Sequence, residues 1–387
     1  MKIVVAIDSF KGCLSSEAVE AAAARGVADV FSDAEILCVP VADGGEGTVE
    51  ALVEGTNGRM ATISVHDPLM RPIRASYGLS GDGQTAIIEM SAASGLTLLS
   101  EEERNPLRTT TYGTGELILD AVGRGCRRFI LGVGGSATND AGIGMLQALG
   151  FRFTDSSGRL LGQGGETMLQ ITDVDFSHVS PLLSTCRFRL ATDVKNPLFG
   201  PEGAAYVFAR QKGGDDRTIP MLDEGLRHFS EVVKRSLHKD ISKIPGAGAG
   251  GGFAAGCLAF LNASMVSGIT LVLEQLHFDE KLRGASFVIT GEGRMDAQTL
   301  QGKVPVGVAE AASRQQIPVY AVAGRIEPDV VFPSILKAFP LTDPPVPLER
   351  SMQPDFAKDR IREVAQRIAR EWKKTQGGGS SPFSTSE

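Results

Sequence analysis

Short apolar runs that end in glycine or aspartate alternate with helix-like runs through most of this chain. Residues 2–7 (KIVVAI) are rich in β-branched side chains and too short for a helix, which predicts a buried parallel strand. Residues 15–31 follow with helical spacing, and Ser15 or Ser16 is the expected N-cap. Similar strand-like runs occur later, at 127–133 and 187–194, and residues 287–296 are expected to be a strand that runs into a glycine turn. This alternation predicts an α/β fold with a doubly wound parallel sheet.

The middle of the chain holds extra strand-like runs, which predicts a second α/β domain inserted into the first. We expect residues 1–78 and 284–372 to form one discontinuous domain and residues 79–283 to form the inserted domain. The last residues, 373–387, are low in hydrophobicity and are expected to be a disordered tail.

Composition excludes several classes of function. The net charge of −7 argues against a nucleic-acid partner. No apolar run approaches the ~20 residues that span a bilayer, so no membrane contact is expected. The five cysteines are scattered and odd in number, which predicts reduced thiols and a cytoplasmic location.

Glycine, with 46 residues, clusters after apolar runs, where the backbone can approach a ligand closely. Residues 132–140 (GVGGSATND) stand between a predicted strand and a predicted helix. Free backbone N–H groups at a helix N-terminus bind phosphate, which makes Gly134, Gly135 and Ser136 candidates for that role.

The same stretch leaves a second interpretation open. Residues 132–137 fit the pattern G-x-G-x-x-A, and Asp155 follows about 20 residues later, as in dinucleotide-binding folds. An NAD(P)-dependent oxidoreductase is therefore an alternative. In a chain this rich in glycine and alanine, roughly one such match is expected by chance, so the pattern alone is weak.

Acids at strand ends favour phosphoryl transfer instead. Aspartates follow several strand-like runs, and most share their loop with a cation. The aspartates are Asp8, Asp43, Asp193 and Asp296, and the cations are Lys11, Lys195, Arg294 and, one turn later, Lys303. Carboxylates for Mg²⁺ and cations for phosphates are the parts that a kinase needs, whereas a dehydrogenase has little use for so many acids. The sequence contains neither a Walker A box nor the protein-kinase motifs.

Eight motifs, in order and with similar spacing, resemble the type I glycerate kinase family. They are DSFKG (8–12), VADGGEGT (41–48), NPLRTTTYGTGEL (105–117), LGVGGSATNDAGIGMLQALG (131–150), TDVKNPLFGPEGAA (192–205), QKG (211–213), PGAGAGGG (245–252) and VITGEGRMDAQTLQGKVPVGVA (288–309). The resemblance covers roughly residues 1–325 and identifies the chain as a member of this family.

The resemblance implies a Rossmann-like domain with an inserted α/β domain and an active site in the cleft between them. It also implies ATP- and Mg²⁺-dependent phosphorylation of D-glycerate to 2-phosphoglycerate, and it is compatible with a homodimer. The chain departs from the family after Gly324, where Arg325 and a proline-rich segment follow. Phosphorylation of the 3-hydroxyl, or of another small hydroxy acid, therefore stays an alternative.

The resemblance and the strand-end positions together suggest catalytic and nucleotide-binding residues. Lys11 and the amides of the 134–136 loop are expected to hold phosphates and to stabilise the charge of the transfer. Asp193 is the first candidate for orienting or deprotonating the acceptor hydroxyl, and Asp296 is the second. The nucleotide site is expected to include Gly134, Gly135, Ser136, Asn139, Gly291 and Gly293.

Substrate and metal binding are assigned in the same way. Asp8 and Ser9, at the end of the first strand, are expected to bind the substrate. Arg71 or Arg294 is expected to bind its carboxylate, since a guanidinium fork matches that group. Asp296 and Asp43 are the candidates for binding Mg²⁺.

Overall fold

The computed structural model describes residues 1–45 and 47–377, and this part of the chain divides into two compact units. The first unit comprises residues 1–55 and the described residues from 268 onward, and the second comprises residues 56–267. The second unit is thus inserted in the chain of the first. Both contain helices and parallel strands, as predicted.

In chain order the strands are β1 (Lys2–Ile7), β2 (Glu35–Cys38), β3 (Arg59–His66), β4 (Pro72–Leu79), β5 (Thr85–Glu89), β6 (Arg128–Gly132), β7 (Arg152–Thr154), β8 (Asp173–Asp175), β9 (Arg187–Ala191), β10 (Ser264–Val266), β11 (Ala285–Met295), β12 (Val319–Ile326) and β13 (Lys337–Pro340). The α-helices are α1 (Ser16–Ala28), α2 (Thr48–Gly55), α3 (Ser91–Ser94), α4 (Tyr112–Gly123), α5 (Ile143–Ala148), α6 (Ala204–Phe208), α7 (Thr218–Leu237), α8 (Phe253–Phe260), α9 (Gly268–Gln275), α10 (Phe278–Leu282), α11 (Val304–Ser313), α12 (Leu348–Ser351) and α13 (Pro354–Gly377). None of the described helices is long and apolar enough to cross a membrane.

The first unit is built on a five-stranded parallel sheet in the order β13-β12-β11-β1-β2. Ile3, Val5 and Ile7 of β1 belong to a core that includes residues of α1 and α13. Val4 and Ala6, which point to the opposite face, are also fully buried. Both faces of the sheet are therefore covered, which confirms the predicted doubly wound arrangement and explains the continuous apolar run of β1.

Strand β11 differs from its prediction. The sequence analysis ended this strand in a glycine turn, but the strand continues past Gly291 and Gly293 to Met295. A Cβ atom on Gly291 would lie 2.0 Å from the carbonyl oxygen of Val322 in β12. Gly291 therefore permits a close approach of two strands, not a turn.

The second unit contains a six-stranded sheet in the order β10-β9-β6-β5-β4-β3, whose first four strands are parallel and whose last two are antiparallel. Strands β7 and β8 form a separate antiparallel pair.

The unit boundaries lie at 55/56 and 267/268, whereas the sequence analysis placed domain boundaries at 78/79 and 283/284. The difference arises because the hairpin of β3 and β4 joins the second sheet through β5, and because α9 and α10 pack near α11 in the first unit. Of the predicted tail, residues 373–377 complete α13, and residues 378–387 lie outside the described residues.

Candidate functional site

Four carboxylates lie at or near the carboxyl edge of the first unit's sheet, and we call them the carboxylate cluster. They are Asp8, Asp43, Glu292 and Asp296. Asp8 directly follows β1, and its backbone N–H donates to the carbonyl oxygen of Gly291 in β11 at 3.0 Å. Ligands of open α/β sheets bind at this edge, as the sequence analysis assumed.

Asp8 is the most deeply buried member of the carboxylate cluster. Its side chain is 3% exposed, and its Oδ1 accepts a hydrogen bond from the backbone N–H of Ser9 at 2.7 Å. Burial and the negative charge of Asp43 raise the pKa of Asp8 to about 7, against the opposing effect of Lys11. Asp8 can therefore exchange a proton near neutral pH.

Lys11 and Asp43 lie together at this edge. The Lys11 Nζ is 3.8 Å from the Asp43 Oδ2, and the Lys11 side chain is 55% exposed. Lys11 stands in a tight turn closed by two backbone hydrogen bonds, both 2.9 Å, between Phe10 and Leu14. The turn thus presents a cation to solvent beside the carboxylate cluster.

Glu292 was not among the residues predicted from the sequence. It lies inside β11, is 5% exposed, and accepts a hydrogen bond from the Thr299 hydroxyl at 2.5 Å. Lys303 Nζ lies 3.6 Å from its other oxygen. Burial raises the pKa of Glu292, and the negative charges of the nearby Asp43 and Asp296 raise it further. A glutamate that closely follows the apolar run of residues 287–289 was the available sequence signal.

Asp296 and Arg294 form an ion pair at the end of β11. The Arg294 Nε lies 3.1 Å from the Asp296 Oδ2, and Asp296 also accepts from the backbone N–H of Gln298 at 2.9 Å. Among residues 1–45 and 47–377, no three His, Cys, Asp or Glu side chains form a group that could hold a metal ion. Mg²⁺ commonly takes only one or two carboxylates, together with water and phosphate oxygens.

A cavity of about 470 Å³ adjoins the cluster within the first unit. Its walls include Asp8, Ser9, Lys11 and residues at the start of α1 and along α2. Ser9, which was predicted to bind substrate, therefore faces a space that can hold a small molecule.

In the second unit, Gly134, Gly135 and Ser136 form the loop after β6. Among the described residues, none accepts a hydrogen bond from the backbone N–H groups of these three. Gly135 has a φ of 68°, and both glycines are exposed. Successive free N–H groups around a left-handed residue form an anion-binding concavity, so the loop has the chemistry that was predicted for it.

The loop is not the N-terminus of a helix, which corrects the expectation from the sequence. Helix α5 begins at Ile143, and the amides of Gly142 and Gly144 donate to the buried carboxylate of Asp140 at 3.1 and 3.2 Å. The hydroxyl of Thr111 donates to the same carboxylate at 2.8 Å. The helix end is thus occupied by Asp140, and the free amides belong to the loop alone.

Lys212, in the QKG motif, was also missed as a site residue. Its Nζ donates to the Ser136 Oγ at 2.8 Å and to the carbonyl oxygen of Thr138 at 2.7 Å. The lysine is 2% exposed, and burial lowers its pKa to about 7, although the charge of Asp140 acts in the opposite direction. The next residue, Gly213, has a φ of 90°. A Cβ atom at this position would lie 2.1 Å from the Arg104 carbonyl oxygen.

Other predicted site residues of the second unit have different environments. Asn139 is fully buried, and neither polar atom of its side chain has a hydrogen-bond partner among the described residues. Asp193 and Lys195 are exposed in the segment after β9. Asp155, the acid of the dinucleotide pattern, accepts from the backbone N–H groups of Ser157 and Arg159 in a turn after β7.

Arg71 already binds two carboxylates. Its Nε donates to Asp67 at 2.6 Å and its Nη1 donates to Glu103 at 2.5 Å. These partners raise the pKa of Arg71. A substrate carboxylate would have to displace one of them, whereas Arg294 pairs with one carboxylate, that of Asp296, among residues 1–45 and 47–377.

Comparisons with known proteins agree with the resemblance. Residues 3–373 match the sequence model of the Glycerate kinase family. The chain is 46% identical to a glycerate kinase of Bacillus cereus, over 96% of this chain and 98% of that protein. It is 48% identical to the glycerate 2-kinase of Escherichia coli, over 85% of this chain and 87% of that protein.

A solved structure matches equally broadly. The crystal structure of a putative glycerate kinase 2 from Salmonella typhimurium LT2 has a TM-score of 0.90 and 43% sequence identity, covering 97% of this chain and 99% of that one. The comparisons give no support to the oxidoreductase alternative. The chain belongs to the glycerate kinase family.

Proposed function

We propose that this protein transfers the γ-phosphoryl group of ATP to the 2-hydroxyl of D-glycerate, giving 2-phosphoglycerate and ADP. The family and the similarity to a protein named glycerate 2-kinase support this proposal. The observation that carries it is the row of three backbone N–H groups at residues 134–136 that donate to no described residue, a row that suits phosphate oxygens.

The loop of the second unit would bind ATP through its phosphates. The N–H groups of Gly134, Gly135 and Ser136 donate to phosphate oxygens, where negative charge increases during transfer. Lys11, exposed in the first unit, is a cation of the kind that kinases use to bind phosphate oxygens. Glycine at 291 is explained by strand packing, so its predicted contact with the nucleotide rests on the resemblance alone.

The carboxylate cluster fits Mg²⁺. Asp43 and Asp296 are partly exposed, with side chains at 17% and 16%, and so could each offer an oxygen. Repulsion between the carboxylates of Asp8 and Asp43 helps to raise the pKa of Asp8, and a nearby dication would relieve this repulsion. When bound, Mg²⁺ would neutralise charge on the phosphates, which the carboxylates themselves cannot do.

Asp8 would orient the acceptor hydroxyl and hold its proton. A base acts best when its pKa is near the working pH, and burial, the largest cause of the raised pKa of Asp8, does not depend on the metal. Proton transfer is late in a loose phosphoryl-transfer transition state, so the main task of this group is positioning. Asp193 was the first candidate from the sequence and stays the alternative, because its carboxylate is exposed.

Arg294 would bind the substrate carboxylate, since its guanidinium is exposed and pairs with one carboxylate in the described part of the chain. The five cysteines are free thiols, which supports a reducing, cytoplasmic location. A homodimer stays a prediction.

The test is a turnover assay with ATP, Mg²⁺ and D-glycerate in which the product is passed to enolase alone. Absorbance from phosphoenolpyruvate would establish phosphorylation of the 2-hydroxyl. ADP release without phosphoenolpyruvate would indicate the 3-hydroxyl, and no glycerate-dependent ADP would refute the proposal. L-glycerate and lactate serve as matched controls for the substrate.

A further inference from the structure

A buried lysine controls one hydroxyl group of the phosphate-binding loop. Lys212 lies 76 residues from Ser136 in the sequence, yet its Nζ is 2.8 Å from the Ser136 Oγ. Lysine is rarely buried without a partner. The nearby carboxylate of Asp140 makes no hydrogen bond with Lys212, because its oxygens accept from Thr111, Gly142 and Gly144.

The chemistry of the two groups fixes their roles. The Lys212 Nζ donates to the Ser136 oxygen, and in its ammonium form it has donors only, so the Ser136 oxygen must be the acceptor in this hydrogen bond. The hydroxyl proton of Ser136 is then directed away from Lys212. No described residue accepts a hydrogen bond from this hydroxyl. Ser136 therefore retains one free donor beside the free amides of the loop.

The backbone next to Ser136 is held independently. Lys212 also donates to the Thr138 carbonyl at 2.7 Å. On another side, a Cβ atom on Gly251 would lie 2.0 Å from that same carbonyl oxygen, and the Ala141 N–H donates to the Gly251 carbonyl at 3.2 Å. Because this packing restrains the backbone, the specific contribution of Lys212 is the direction of the Ser136 hydroxyl.

We infer that Lys212 is a positioning residue that turns the Ser136 hydroxyl toward ATP, so that the hydroxyl becomes a further donor to a phosphate oxygen. This inference rests on the proposed function, because it takes the 134–136 loop as the phosphate site. It assigns Lys212 no direct contact with substrate. The contribution of Lys212 to ATP binding passes through the oxygen of Ser136.

The test is a double-mutant cycle with Lys212→Met, Ser136→Ala and the double variant, measured in the full chain at pH 6, where Lys212 is protonated. Steady-state kinetics give kcat, the KM for ATP and the KM for D-glycerate. We expect each single variant to raise the KM for ATP by about tenfold, as the loss of one hydrogen bond to a charged group does. The KM for glycerate should change by less than about twofold, since that site is not touched.

The decisive result is the behaviour of the double variant. If Lys212 acts through Ser136, the Ser136→Ala change should cost nothing more in the Lys212→Met background. Lys239→Met is the matched control, because Lys239 also donates to a carbonyl, that of Ala259, and to a side-chain oxygen, that of Asn262. This variant should retain the wild-type KM for ATP.

Three outcomes would overturn the inference. The first is additive effects of the two substitutions, and the second is a wild-type KM for ATP in Lys212→Met. The third is a wild-type KM for ATP in Ser136→Ala, which decides the question even if Lys212→Met fails to fold. An active wild-type enzyme with any of these results refutes the inference alone, whereas a wild-type protein without glycerate-dependent ADP formation refutes the proposed function and the inference with it.

Discussion

The negative charge of Asp43 acts on the buried carboxylate of Asp8 and, together with burial, raises the pKa of Asp8 to about 7. The two aspartates follow neighbouring parallel strands, so the sheet itself brings them to one edge. A buried carboxylate held near a second one destabilises the folded state at neutral pH, and such groups are common at functional sites.

Asp8→Asn should change how stability depends on pH. The folded-state pKa of about 7 exceeds the ordinary value of 3.8, so the folded protein binds more protons between these pH values. The free energy of unfolding should therefore fall as pH rises from about 4 to about 7. Removing the charge should stabilise the protein at pH 8 by roughly 2–4 kcal/mol.

Denaturant unfolding at pH 4 and pH 8 checks this prediction. Asp33→Asn is the control, since Asp33 is exposed. Equal stabilities of wild type and Asp8→Asn at pH 8 would show that the charge of Asp8 does not destabilise the folded protein.

Gly291→Ala and Gly293→Ala should differ sharply in stability, although the sequence analysis gave both glycines the same role. A methyl group at 291 would lie 2.0 Å from the Val322 carbonyl oxygen, whereas for one at 293 the nearest described atom beyond its chain neighbours would be Phe10 Cα at 3.8 Å. We expect Gly291→Ala to destabilise the protein by about 2–4 kcal/mol, because the strands must separate, and Gly293→Ala to cost under about 1 kcal/mol.

The midpoints of urea unfolding compare the two variants directly. A Gly291→Ala protein as stable as the Gly293→Ala protein would mean that β11 and β12 are not as closely packed as described.

Gly135→Ala should weaken ATP binding more than Gly134→Ala. Gly135 has a φ of 68°, which costs an L-residue about 1 kcal/mol or more, so alanine there would distort the row of free amides. A methyl group on Gly134 would lie within 4 Å of no described atom beyond its chain neighbours. Calorimetric titration with ADP measures the affinity of each variant, and equal affinities would argue against the loop as the phosphate site.

Arg294→Ala should raise the KM for D-glycerate by about tenfold or more, the usual effect of losing a charge-assisted hydrogen bond in a site. Arg71→Ala should instead lower stability, because it leaves the buried carboxylate of Asp67 without its guanidinium. Steady-state kinetics and thermal unfolding of both variants separate the roles. A normal KM in Arg294→Ala would remove this residue from the substrate site.

The sequence was a good guide to the order of elements and to the family. The strand of residues 2–7 and a cap at Ser15 or Ser16 were predicted from local patterns, and the structure confirms the strand and has Ser15 as the cap of α1. Local patterns also explain the one misplaced turn, since glycine in a sequence indicates either a turn or a close approach of strands.

Residues that act through distant contacts could not be predicted. Nothing near Lys212 in the sequence indicates that it donates to Ser136, because only the packed fold brings them together. Glu292 gave a weak signal, and its burial against Thr299 and Lys303 depends on α11 packing near β11. The distance of the 134–136 loop from α5 was likewise set by the buried Asp140.

The most direct test of this account measures glycerate-dependent ADP formation by Asp8→Asn and Asp193→Asn beside the wild type at pH 8. We predict that Asp8→Asn lowers kcat by at least about 100-fold, as the loss of an acid–base group does, while its melting temperature rises. Asp193→Asn should lower kcat much less. Wild-type turnover in Asp8→Asn, with a loss of activity only in Asp193→Asn, would contradict the role of Asp8. Asp193 would then be the residue that orients the acceptor hydroxyl.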